Sequence, residues 1–263
     1  MDKKKSNSLT IARKYFDLYY FLSKQDIKNR FRRSYLGIGW LVVQQMMFAL
    51  FASIVWARLF GIDAGSFIPF LVVGIAIWGF ITASMVESCG IFVQTRAYLR
   101  QFPLPHSVFI FRYLLTNLYY LFIGMLTALT VFIIFNKFNF LGVIYSIPGL
   151  IILIIYFYAA SGTMAYLGLR YRDIQHALTG IFSLLFIVTP VIFPSEVLLK
   201  KGISMVIYLN PFASLIDIVR HPIINGEFAS FQQYATSITF TIFLLTFQYI
   251  LEKKWGRLVP FWA

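Results

Sequence analysis

The chain has 263 residues, 59% of them hydrophobic and 13% charged, with a mean hydropathy of +0.76. A water-soluble domain carries about twice that share of charged residues, and a disordered chain lacks so much apolar surface, so both are excluded. The net charge of +13 does not point to nucleic acid either, because the basic residues sit between long apolar runs and not on one face of a soluble fold, which leaves a polytopic, all-helical membrane protein.

Residues 1–37 form a polar, basic N-terminal segment with no short apolar stretch before a small-residue cleavage site, so no cleavable signal peptide is expected. Within it, residues 9–33 place Ile11, Tyr15, Leu18 and Leu22 at helical spacing, with Lys and Arg gathered toward the end. That pattern predicts an amphipathic helix along the cytoplasmic interface. The basic residues are equally accounted for if they serve only to set topology.

Residues 38–263 form one transmembrane domain. A crossing helix needs about 20 mostly apolar residues, and six runs qualify: 38–60, 68–92, 109–135, 141–169, 177–194 and 234–251. Helices are expected because an open strand would leave backbone groups unpaired in lipid. With both termini placed in the cytoplasm, five of the 23 Lys and Arg residues face outward, namely Arg58, Lys137, Lys200, Lys201 and Arg220. The asymmetry supports that orientation.

In the first span Trp40, Gln44, Phe48, Phe51 and Val55 recur at steps of four or three and share one face. Two charged residues of the spans, Arg58 and Glu87, fall near span ends and are read as interfacial. After the second span, residues 95–105 combine a short amphipathic piece with Pro103 and Pro105; Arg96, Tyr98, Leu99, Arg100 and Phe102 suit either a protein contact or a loop dipped into lipid. In the fifth span Thr179, Phe182, Phe186 and Phe193 can share a face, which suits a channel wall and lipid contact equally well. Residues 195–233 hold two apolar pieces, 197–209 and 211–221, each too short to cross, so the segment is expected to re-enter or lie on the outer surface. Asn210 can cap a helix that begins at Pro211, and Pro222 is expected to end it.

The chemistry missing from the sequence narrows the function. No mid-membrane carboxylate marks an ion-coupled transporter. G-x-x-x-x-G-K-[ST] is absent, so uphill transport would need another subunit to supply energy. His106, His176 and His221 lie far apart, the ten Asp and Glu residues are scattered singly, and neither H-E-x-x-H nor G-x-S-x-G occurs. No metal site is expected, and Cys89 is read as a small buried apolar residue.

Several segments together resemble the permease subunit of polysaccharide ABC exporters, which move O-antigens, capsules and teichoic acids. Residues 25–40 (Gln25-Asp26-Ile27-Lys28-Asn29-Arg30 through Gly39-Trp40) resemble the family's approach to its first span. Tyr171-Arg172-Asp173-Ile174 with Thr189-Pro190-Val191-Ile192-Phe193, and then Leu209-Asn210-Pro211-Phe212 with Arg220 and Gly226, resemble its fifth-span region and external segment. Many members carry proline where this chain has Gln45 after Gln44, so amide contacts are expected in place of a kink.

The resemblance implies a homodimer in the bacterial inner membrane, two copies of a separate ATP-binding subunit that hold ATP and Mg, and a lipid-linked polysaccharide substrate, O-antigen above all. It implies no cofactor in this chain and no nucleic-acid partner. It further implies a channel lined by Trp40, Gln44, Phe48, Phe51, Val55, Thr179, Phe182, Phe186 and Phe193. ATPase coupling falls on the N-terminal helix and on Arg96, Tyr98, Leu99, Arg100 and Phe102, and an external gate on Asn210, Pro211 and Arg220. Two other readings stay open: an exporter of a drug or small lipid with the same architecture, and a membrane glycosyltransferase or acyltransferase.

Overall fold

A computed structural model describes residues 2–61, 63–101, 104–195 and 210–263. Every regular element among them is helical. The long helices are α1 (Asp2–Arg30), α2 (Gly39–Phe60) and α3 (Ala64–Met85), followed by the short α4 (Ile91–Gln94) and α5 (Arg96–Gln101). Then come α6 (His106–Ile134), α7 (Phe140–Arg170), α8 (Ile174–Val188), α9 (Pro211–Asn225), α10 (Phe231–Trp255) and the terminal turn α11 (Val259–Trp262). The expected apolar piece at 197–209 lies outside the described residues, as do Phe102 and Pro103.

Five helical stretches are long and apolar enough to cross a membrane: Gly39–Trp56, Ala64–Gln94, His106–Ile134, Phe140–Arg170 and Phe231–Trp262. They coincide with the first four and the last of the apolar runs. The remaining run, 177–194, falls on α8, which has 15 residues. At 1.5 Å per residue such a helix spans about 22 Å, less than the ~30 Å hydrocarbon core. Hydropathy continues through Ile192, but a residue before proline is pushed out of helical space. Thr189, ahead of Pro190, is accordingly extended at ψ 139° and ends α8.

Because the long helices run back and forth, α1, α4, α5 and α11 gather at one end of the bundle, the near end. The turns at 61–63, 135–139 and 226–230 gather at the other, the far end. Side chains set the helix starts there. Asp63 accepts from the backbone N–H of Ser66, Asn139 accepts from those of Leu141 and Gly142, and Ser230 forms a reciprocal capping box with Gln233.

α9 starts as its sequence predicts, with the Asn210 side chain accepting from the Phe212 N–H at 3.0 Å and Pro211 in the first turn. It does not stop at Pro222 as expected. The helix continues to Asn225 and ends at Gly226, whose φ of 73° gives the left-handed turn. The continuation has a packing cause. Pro222 offers no N–H to the Ile218 carbonyl, and that carbonyl lies against Gly149 of α7, where any Cβ would collide with it. Gly142 meets the Pro222 carbonyl in the same way, one face of α7 further along. Close helix approach through small residues is the usual means of packing in lipid, and here it seats a largely buried α9 between α7, α3 and α10.

The core is one continuous apolar cluster built from α3, α6, α7 and α9, with a second cluster at the near end around Phe92, Phe109 and Tyr166. Cys89 belongs to the first, 3% exposed. Gln45 is buried as well. Its amide donates to the Val72 carbonyl at 2.8 Å and to the Gly124 carbonyl at 3.2 Å, fastening an unkinked α2 to α3 and α6.

Candidate functional site

One face of α2 is uncovered, as are outer faces of α6, α7 and α10. Trp40, Gln44, Phe48, Phe51 and Val55 are all exposed on α2, Phe51 at 66%. α8 stands beside α2 and touches the body chiefly through aromatic rings. Phe48 meets Phe186 edge-on at 5.8 Å, and Trp78 of α3 lies 5.7 Å from both Phe182 and Phe186. Phe182 is buried by these contacts and by Phe212 at 5.2 Å, whereas Thr179 is exposed.

Of these residues Phe48, Trp78, Thr179, Phe182 and Phe186 wall a cleft of about 440 Å³, onto which Gly79 and Thr82 also open. A second cavity of about 400 Å³ shares Phe48, Ile75 and Gly79 with it and continues toward the near end, where Gln44, Glu87, Asn117 and Tyr120 line it. The groove thus runs from aromatic to amide and carboxylate walls. Its chemistry suits a long hydroxyl-rich chain that stacks transiently and finds no deep polar site to trap it.

Of the nine residues expected along this wall, eight lie on α2 and α8. Phe193 does not join them, because α8 has ended before it reaches that position. Sequence reasoning missed Trp78, Thr82, Asn117 and Tyr120. The i, i+4 pair Trp78–Thr82 marks that face of α3, and only the position of α8 shows that it is open.

At the near end, α1 is docked on α6 rather than lying free. Asp26 and Arg112 form a two-pronged ion pair, with Arg112 Nε donating at 2.6 Å, and Tyr19 stacks on Phe111 at 5.7 Å. The Arg112 guanidinium also lies 5.9 Å from the centre of the Tyr98 ring on α5. One arginine therefore joins the two elements expected to couple. Arg96, Tyr98 and Arg100 are exposed, and Arg100 Nη2 donates to the Ala263 main-chain oxygen at 3.1 Å. Leu99 faces the other way and is buried in the near-end cluster, so it holds α5 to the body and presents no surface to a partner. Phe102 lies outside the described residues.

At the far end, Asn210 does more than cap: its Nδ2 donates to Thr189 Oγ1 at 2.8 Å and ties α9 to the end of α8. Arg220 is not at a headgroup surface, as its place in an outer segment suggested. It is 2% exposed, its Nη2 donates to Asp217 Oδ1 at 2.7 Å, its Nη1 to the Val191 carbonyl at 3.4 Å, and it packs 4.0 Å from the centre of the Phe70 ring. Asp217 Oδ2 accepts in turn from Ser195 Oγ and Gln233 Nε2. Burying a charge is tolerable only with such pairing. The signal that could have found it is Asp217-Ile218-Val219-Arg220, an i, i+3 pair of opposite charges in an otherwise apolar run.

Among the described residues no three His, Cys, Asp or Glu side chains converge. The family model described as ABC-2 type transporter matches residues 17–224. The chain is 25% identical over 234 residues to the O-antigen export system permease protein RfbA of Klebsiella pneumoniae, covering 88% of each. A protein of the same name from Myxococcus xanthus is 23% identical over 203 residues, 77% of this chain and 78% of its own length.

Proposed function

The chain belongs to the ABC-2 type transporter family, and from that premise we propose that it is the permease subunit of an exporter that carries lipid-linked polysaccharide, O-antigen foremost, across the bacterial inner membrane. Two copies pair across the uncovered α2–α8 face and enclose the channel between them. α8 with the turn after it serves as the fifth of six crossings, and α9 re-enters from outside. ATP and Mg are held by two copies of a separate ATP-binding subunit that meets α1 and the exposed side of α5.

The observation that carries this reading is the groove that passes from the aromatic rings of Phe48, Trp78 and Phe186 to the polar groups of Gln44 and Asn117. Sugar rings have apolar faces and hydroxyl edges, and such a wall serves both. Removing the chain from a glycan-producing cell is expected to leave lipid-linked polysaccharide inside and none at the surface, with export restored when the chain returns together with its ATPase. Surface polysaccharide that persists without it, or loss of drug resistance alone, overturns the reading.

Arg100→Glu is expected to abolish export while the protein still accumulates in the membrane, because it reverses an exposed charge beside the ATPase contact. Normal surface glycan with intact ATPase association would remove Arg100 from that contact. The orientation, with the near end in the cytoplasm, is checked at Lys137, which is exposed in the turn between α6 and α7. Lys137→Cys is expected to react with an impermeant maleimide added outside intact cells; reaction only after lysis would invert the topology.

A further inference from the structure

At the far end a cavity of about 610 Å³ lies between the first turns of α3, helix α9 and the first turns of α10. Its volume falls within the range of small-molecule sites, roughly 300–1,000 Å³. Asn225, Phe228 and Gln232 are exposed at its mouth, and Ser214 and Arg220 are buried at its floor.

Ser214 sets this cavity apart from a packing gap. The buried hydroxyls of Ser84, Ser146, Ser237 and Thr241 donate to a carbonyl three or four residues back, whereas those of Thr82 and Ser161 have no partner among the described residues. Ser214 is 5% exposed, lines the cavity, and its hydroxyl makes no hydrogen bond among the described residues. Its oxygen is not sealed in the interior, and the cavity it lines gives a ligand access to it. The Gln232 carboxamide at the mouth is likewise uncommitted among the described residues.

The electrostatics of the floor select the kind of ligand. Asp217 and Arg220 neutralise each other, and His221 is the remaining titratable side chain among the described lining residues. With His221 neutral, the site offers no net charge to attract a phosphate or a cation. A fitting ligand is neutral, carries hydroxyls that both donate and accept, and has an apolar face for a ring to cover. Phe228 supplies that ring: one face packs against Tyr145 at 4.5 Å, and the residue is still 55% exposed. We propose that this cavity is a saccharide subsite that receives sugar units of the glycan as they leave the channel, with Ser214 and Gln232 bonding hydroxyls and Phe228 stacking. The proposal rests on the permease reading above and adds a second contact point for the same substrate, separate from the α2–α8 groove.

The test is photocrosslinking in exporting cells that contain the partner ATPase. A p-benzoylphenylalanine is placed at Phe228, at Phe51 on the exposed face of α2, or at Phe122 exposed on α6. Glycan on the captured protein is detected by periodate oxidation and hydrazide labelling, which needs no knowledge of the sugar. Glycan-positive adducts at Phe228 and Phe51 and none at Phe122 are expected, and Ser214→Ala is expected to lower the Phe228 yield several-fold at unchanged protein level. Adducts at Phe51 alone overturn the subsite and leave the permease reading standing. Absence at both Phe51 and Phe228 overturns both, and equal capture at Phe122 overturns the subsite, since contact would then not belong to the cavity.

Discussion

Arg220→Ala is expected to deplete the folded protein almost completely, and Asp217→Ala nearly as much. Each leaves a charge in the interior without its counter-charge, which costs about 3–5 kcal/mol against a total stability of about 5–15 kcal/mol. Asp217 would keep Ser195 and Gln233 as donors, but neutral donors do not replace a guanidinium. The double variant Asp217→Leu with Arg220→Met is expected to recover most of the loss, because an apolar pair of similar size restores packing with no stranded charge. Monodispersity and thermal melting in detergent measure all three. An Arg220→Ala protein that melts like the parent would show that the pair contributes nothing to seating α9.

The combined change Phe48→Ala and Phe51→Ala is expected to act the opposite way, on transport and not on folding. Both side chains are substantially exposed, at 40% and 66%, and among the described residues their ring contact is a single edge-on pair, Phe48 with Phe186. Such a pair is worth about 0.5–1.5 kcal/mol beyond its burial, so the protein should accumulate near its normal level. Passage of the glycan loses two stacking surfaces. Surface polysaccharide is expected to appear on the order of tenfold more slowly, equivalent to about 1.4 kcal/mol on the barrier. Unchanged polymer flux at normal protein level would take both residues out of the channel wall.

Much of the helical framework was legible because apolar length alone reports a membrane crossing, whatever the neighbours. Caps such as Asn210 were legible for a related reason: a cap acts within three residues of itself. What could not be read depended on contacts distant in sequence. The apolar run through Ile192 hid the break at Thr189, since hydropathy is blind to the backbone restriction imposed by Pro190. Pro222 failed to end α9 because Gly149, 73 residues away, accommodates the Ile218 carbonyl. The burial of Arg220 needs Phe70, Val191 and Asp217 from three separate stretches. Leu99 faces inward although its neighbour Tyr98 faces out, and a helix of six residues is too short for periodicity to assign its sides.

The bond between Asp26 and Arg112, with Tyr98 laid against the same guanidinium, has a mechanical consequence. The lever formed by α1 and the small knuckle formed by α5 share one fastening on the shaft of α6, so neither can swing without loading the other. A push delivered to either part arrives at the same rod. Cutting that fastening with Arg112→Ala would remove the link between the two, while Tyr19 and Leu99 kept each on the body.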